Sequence, residues 1–128
     1  MLVLLVGLMT GCSREREEKY YADKSNFITG EAIVENIIYD EEDNEIILWL
    51  HEIDEAYQTG NFKIKGENTQ LVLERGILEK LKIGDVITFT SAPRFFYDGY
   101  FMPVVAITVS GEDLLDFEEG HKNLMQLY

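Results

Sequence analysis

The chain has 128 residues, with 24 acidic against 11 basic side chains and a net charge of −13. That length supports one domain with a modest core, and an apolar content of 46% is that of a globular chain rather than a disordered one. A surface this acidic repels phosphate backbones and argues against nucleic acid as a partner, while a single cysteine excludes an internal disulfide.

Leu2 to Met9 form an apolar run interrupted only by Gly7. A bilayer needs about 20 apolar residues, so the run is too short to span one and has the length of a signal-peptide core instead. The Met9-Thr10-Gly11-Cys12 segment that follows resembles a bacterial lipobox, although Met9 stands where leucine is usual and no Lys or Arg precedes the run. The resemblance implies that residues 1–11 are removed and that Cys12 receives a diacylglycerol. It places the protein at the cell membrane, lipid-anchored on the extracytoplasmic face. The competing reading is a buried N-terminal strand with a chance cysteine. Against it stands the abrupt switch to Ser13-Arg14-Glu15-Arg16-Glu17-Glu18-Lys19. Lipidated Cys12 and the charge-balanced stretch to Asn26 (residues 12–26) read as an anchor and polar tether, leaving residues 27–128 as the domain.

Within that domain the charge is uneven. Ten acids and no Lys or Arg fall between Glu31 and Glu55, whereas Lys63 to Lys82 holds five cations.

Phe27 to Tyr39 alternates with a strand's period. Ile28, Gly30, Ala32, Val34, Asn36 and Ile38 share one side, which reads as the core face. Asp40 to Asn44 is a polar turn, and Glu45 to Ile53 a second strand with Ile46, Leu48 and Leu50 inward. Phe62 to Lys65 is a short third strand. Asn68 is positioned to cap a helix over Thr69 to Arg75 that stops at Gly76, and a further turn spans Ile77 to Leu81. "DVITFTSA" and "YFMPVVAITVS" supply strands four and five, and Pro103 suggests an edge or a bulge. In the tail, Ser110 and Asp113 have capping-box-like spacing, and Gly120 is expected to break it into two short helices.

This order predicts an all-β fold with short helices: an OB-like, five-stranded, partly open barrel with a helical insert between strands three and four and a C-terminal helical tail. A β-sandwich or a small α+β domain fits the same elements. From Phe27 to Val109, including the "KLKIGDVITF" junction, the chain resembles small OB-like lipoproteins of Gram-positive bacteria, most without an assigned activity. Ile33, Ile37, Tyr39, Ile47, Trp49 and Ile53 fall on the outer sides of the first two strands, a patch that calls for a cover or a partner. The tail is the expected cover.

No Walker loop, paired-Cys motif, HExxH or nucleophile elbow is present. No catalytic residue, resident metal or cofactor is expected, and His51 and His121 read as a strand-face and a helix-surface imidazole. An enzyme reading needs a carboxylate pair such as Glu52 and Asp54, which alternate by two residues and so share one strand face. The candidate ligand face combines two loops that flank the binding surface of OB-folds. One is the aromatic turn Phe95, Phe96, Tyr97, Asp98, Tyr100 and Phe101, built around an Asp98-Gly99 turn. The other is the acidic turn Asp40, Glu41, Glu42 and Asp43. The aromatics could equally plug a barrel end. The leading expectation is a noncatalytic binding module whose partner is a cationic protein or peptide. The second is a structural subunit of an envelope complex that uses the apolar face at Ile47 and Trp49.

Overall fold

The computed structural model describes residues 13–128, so the signal peptide expected over residues 1–11 and the acylated Cys12 lie outside the described residues. At its centre are β1 (Ile28–Asp40), β2 (Glu45–His51), β3 (Asn61–Lys65), β4 (Val86–Ser91) and β5 (Met102–Val109). β1 pairs with β2 and with β4, β2 with β3, and β4 with β5, all antiparallel. A short parallel seam joins β3 to β5, with Phe62 opposite Met102 and Lys63 opposite Pro103. The ring β1-β2-β3-β5-β4 is therefore a closed OB-like barrel, where the sequence reading left it partly open. Pro103 lies in that seam, buried.

Two bulges decide which residues face inward. Val34 pairs with Leu50 but Asn36 pairs with Trp49, which leaves Glu35 as an extra residue in β1. An inserted residue inverts the alternation beyond it. Ala32 and Val34 point into the core before the bulge, whereas Ile37 and Tyr39 pack against it afterwards and Ile38 is 43% exposed. The expected core face is thus correct up to Val34 and reversed for Asn36 and Ile38. β5 does the same: Thr90 pairs with Ala106 and Ser91 with Val104, so Val105 is unpaired and turns outward.

β3 leads through Gly66 into α2 (Glu67–Glu74) and then α3 (Ile77–Lys80). Gly76 stops α2 in the left-handed conformation at φ 84°, as a C-terminal glycine does. Asn68 is not the cap. It is buried inside α2, where its Nδ2 donates to Gly120 O at 2.9 Å and its Oδ1 accepts from Asn123 at 3.0 Å. Val72, Ile77 and Leu81 join the barrel core.

The tail also differs from expectation. Ser110 and Gly111, with φ of 52° and 78°, form a two-residue hairpin turn into a sixth strand, β6 (Glu112–Leu115), rather than a helix start. The single helix α4 (Phe117–Met125) is capped by Asp116, whose Oδ1 accepts from Glu119 N at 2.9 Å. It runs straight through Gly120. A Cβ there would lie 1.7 Å from Val105 O, so the glycine marks close approach of helix to strand, not a break. α4 packs on β5 and α2, and among the described residues no helix packs closely on β2.

Finally, residues 13–22 are helical (α1), followed by a 3-10 turn at Lys24–Asn26. Tyr21 is fully buried beside Ala92, Phe96, Val105 and Leu124, a second core outside the barrel wall. Over this part of residues 12–26 the chain is an integral element of the domain, not a free polar tether. No helix of the described residues is long and apolar enough to cross a membrane.

Candidate functional site

The aromatic loop between β4 and β5 folds back on itself. Phe96 N–H donates to Phe101 O at 2.8 Å, and Gly99 N–H to Phe96 O at 3.3 Å. Its aromatics divide sharply in burial. Phe96 is buried in the second core, Phe95 packs against the barrel core, and Phe101 is half-buried. Tyr97 and Tyr100 are 48% and 75% exposed. Three rings, Phe95, Phe96 and Phe101, thus fill space, while Tyr97 and Tyr100 face outward.

Two lysines of β3 hold the loop. Lys65 Nζ lies 4.1 Å from the Phe96 ring centre and 3.3 Å from Asp98 Oδ2, while Lys63 Nζ lies 4.4 Å from the Phe101 ring centre. Both also reach Glu45 at the base of the acidic turn, at 2.9 Å from Lys63 and 3.8 Å from Lys65. Lys65 is thereby the link between the two loops proposed as one face. In the acidic turn, Asp43 N–H donates to Asp40 Oδ1 at 3.2 Å, and Asn44, at φ 54°, donates from Nδ2 to Gly66 O. Carboxylate oxygens of Asp40, Asp43 and Glu45 lie within 4.8 Å of one another. With Glu45 neutralised by two lysines, the group is a solvated hairpin tip with an ion pair at its root.

On the other side of the aromatic loop sits α1. Glu17, only 2% exposed, accepts from Tyr97 N–H at 2.5 Å and from the Tyr128 hydroxyl. Burial, then the hydrogen bond and charge of Glu17, hold the Tyr128 hydroxyl far above the ordinary tyrosine range. Arg14 donates to Leu127 O at 2.7 Å and stacks over the Tyr128 ring. A cavity of about 190 Å³ lies between these parts, lined by Arg14, Glu17, Lys65, Tyr97, Asp98 and Tyr128. A wider depression of about 340 Å³, which also borders Glu17, is lined by Ser13, Arg94, Phe95 and Tyr97. Arg14, Glu17, Lys65 and Tyr128 were not candidates from the sequence. The available signal was the spacing of Glu17 and Tyr21, four apart on one helix face, in a stretch whose balanced charge suggested a spacer.

The remaining titratable candidates are dispersed. β2 ends at His51, and Glu52 at φ 56° and Asp54 lie in the exposed loop beyond it. Asp54 Oδ1 there accepts from Ala56 N–H at 2.8 Å, so the two do not share a strand face. His51 Nδ1 stands 3.0 Å from Glu35 Oε1 at the bulge, without hydrogen-bond alignment. His121 is buried rather than on a helix surface: Nε2 lies 2.6 Å from Tyr21 O and the ring stacks on Phe117.

No family model matches the chain, and no curated protein or solved structure matches it.

Proposed function

We propose that the protein is an extracytoplasmic lipoprotein, anchored through Cys12, whose barrel is a noncatalytic binding module for a cationic protein or peptide. The observation that carries this reading is the β1–β2 hairpin. It exposes Glu31, Glu35, Glu41, Glu42 and Asp43, with Glu52 just beyond it, and the nearest lysines are engaged by Glu45 and Asp98. Uncompensated acidic potential steers basic ligands and speeds their encounter. Capture from a native envelope extract tests it, comparing wild type with a Glu41→Gln, Glu42→Gln, Asp43→Asn variant. A basic protein retained by wild type, released by salt and not retained by the variant is the expected result. Identical capture by both refutes the reading.

A second reading, a structural subunit of an envelope complex, draws support from the same hairpin's outer face. Ile38 is exposed, Ile47 and Trp49 are half-buried, and α4 packs elsewhere. Light scattering of wild type and Trp49→Asp separates the two, since an assembly through this face dissociates in the variant and a monomer is unaffected.

A further inference from the structure

We propose that the aromatic loop and the first turn of α1 form the surface on which the domain rests against lipid headgroups. The inference rests on the reading of Cys12 as an acylated residue and adds which face of the domain meets the membrane.

Cys12 is joined directly to Ser13, and consecutive Cα atoms are about 3.8 Å apart. Ser13 already belongs to a helix fixed to the body. One turn on, about 6 Å along the axis, Glu17 is buried between Tyr97 N–H and the Tyr128 hydroxyl, and Tyr21 follows in the second core. Arg14 is held to Leu127 O as well. Acyl chains on Cys12 therefore depart within one residue of the packed domain, with no slack to hold it away from the bilayer.

The point of departure is defined by its neighbours. Ser13 lines the same depression as Arg94, Phe95 and Tyr97. Headgroup layers are about 5–8 Å deep on each side of the hydrocarbon, so a residue next to the anchor and the loop beside it lie within that layer. The two side chains this loop leaves outward, Tyr97 and Tyr100, are of the type that partitions to the membrane interface. Charge acts in the same direction. Arg14, Arg16, Lys19 and Arg94 lie on α1 or against it. Among the acids of this side, Glu17 is buried and hydrogen-bonded, Asp98 and, at the root of the acidic hairpin, Glu45 are paired with Lys65, and Glu15 and Glu18 are exposed. Most of the net charge of −13 lies on other parts of the chain. Anionic lipid attracts the first region and repels the exposed carboxylates of the hairpin tip, Glu41, Glu42 and Asp43, which leaves that tip available to a soluble partner.

The test uses the full chain, acylated in its host and reconstituted into vesicles of phosphatidylglycerol and phosphatidylcholine. Acylation of Cys12 is verified by mass spectrometry, and spin labels are placed through Tyr97→Cys, Tyr100→Cys or Glu112→Cys. Glu112 follows the β5–β6 turn, at the far end of β5 from the aromatic loop. Labels at 97 and 100 are expected to collide with membrane-dissolved oxygen more than with an aqueous nickel complex, and the label at 112 the reverse. A flexible Gly-Ser linker inserted between Cys12 and Ser13 should return labels 97 and 100 to the aqueous pattern. If acylated protein shows aqueous labels at all three positions, the inference falls while the anchor stands. An unmodified Cys12 overturns the anchor and the inference together.

Discussion

Replacing Gly120 by alanine separates two roles that a glycine in a helix can have. If Gly120 merely weakens α4, alanine restores helix propensity and raises stability by about 1 kcal/mol. The structure gives the opposite sign, because a Cβ at this position would sit 1.7 Å from Val105 O and 2.6 Å from the carbonyl carbon. Both are backbone atoms, held by the β5 bulge inside a closed barrel, so no side chain can swing away. Relief to an ordinary contact of about 3.5 Å requires α4 to withdraw by more than an ångström. That motion stretches the bonds from Asn68 to Gly120 O and from Asn123 to Asn68. It also strains the bidentate pair of Arg75 with Glu119 at 2.8 and 2.9 Å and opens the contact of Leu124 with Val105. Overpacking of a tight interior costs about 1–3 kcal/mol, and loosened buried hydrogen bonds add about 1 kcal/mol or more. The net expectation, after the gain in propensity, is a loss of about 2–4 kcal/mol. Urea denaturation followed by circular dichroism reads it as a lower midpoint at unchanged slope. A midpoint equal to or above wild type refutes the close-approach argument.

Glu17→Ala leaves Tyr97 N–H and the Tyr128 hydroxyl without their partner and should destabilise the protein by about 2–3 kcal/mol; hydrogen exchange at the Tyr97 amide should quicken with it. Lys65→Met keeps the stem but removes the charge between Glu45, Asp98 and the Phe96 ring, with an expected loss of about 1 kcal/mol, measured by the same denaturation. Burial raises the hydroxyls of Tyr21 and Tyr57, the latter to about 12. A raised folded value means that the stability is fully present below the unfolded pKa of about 10 and is lost as pH rises beyond it, at about 1.4 kcal/mol per pH unit for the fully buried Tyr21. Denaturation across alkaline pH should show a Tyr21→Phe variant declining less steeply than wild type, and equal slopes would refute the assignment.

The first five strands, the α2–α3 insert and the stop at Gly76 were legible because each depends on local chemistry: alternation, turn residues and a left-handed glycine. What the sequence hid was non-local. Nothing around Glu35 signals a bulge, since Ile33, Ile37 and Tyr39 offer as good an apolar series as Ala32 and Val34 continued through Ile38. Only the switch of β1 from its β4 partner to β2 alone selects the register. Gly120 and Asn68 read as a breaker and a cap because those are their local roles. Their actual partners lie in β5 and α4. The candidate site was legible to the same degree. Asp98-Gly99 announced the turn, but which rings face outward follows from Lys63, Lys65 and α1 packing against them.

Those same contacts make α1, as well as the barrel, an element on which the site depends. The exposed positions of Tyr97 and Tyr100 follow from the loop's fold, and that fold is held on one flank by lysines of β3 and on the other by Glu17. A helix of alternating charges gains little stability from its own exposed ion pairs. Its hold on the domain comes from Tyr21, Glu17 and Arg14, which meet β5, the loop and the final residues of the chain. A change that leaves the barrel intact but frees α1, such as Glu17→Ala together with Tyr21→Ala, therefore separates anchor from loop. In the acylated protein it should give the aqueous label pattern at 97 and 100 that an inserted linker gives, with the closed β3–β5 seam unaltered.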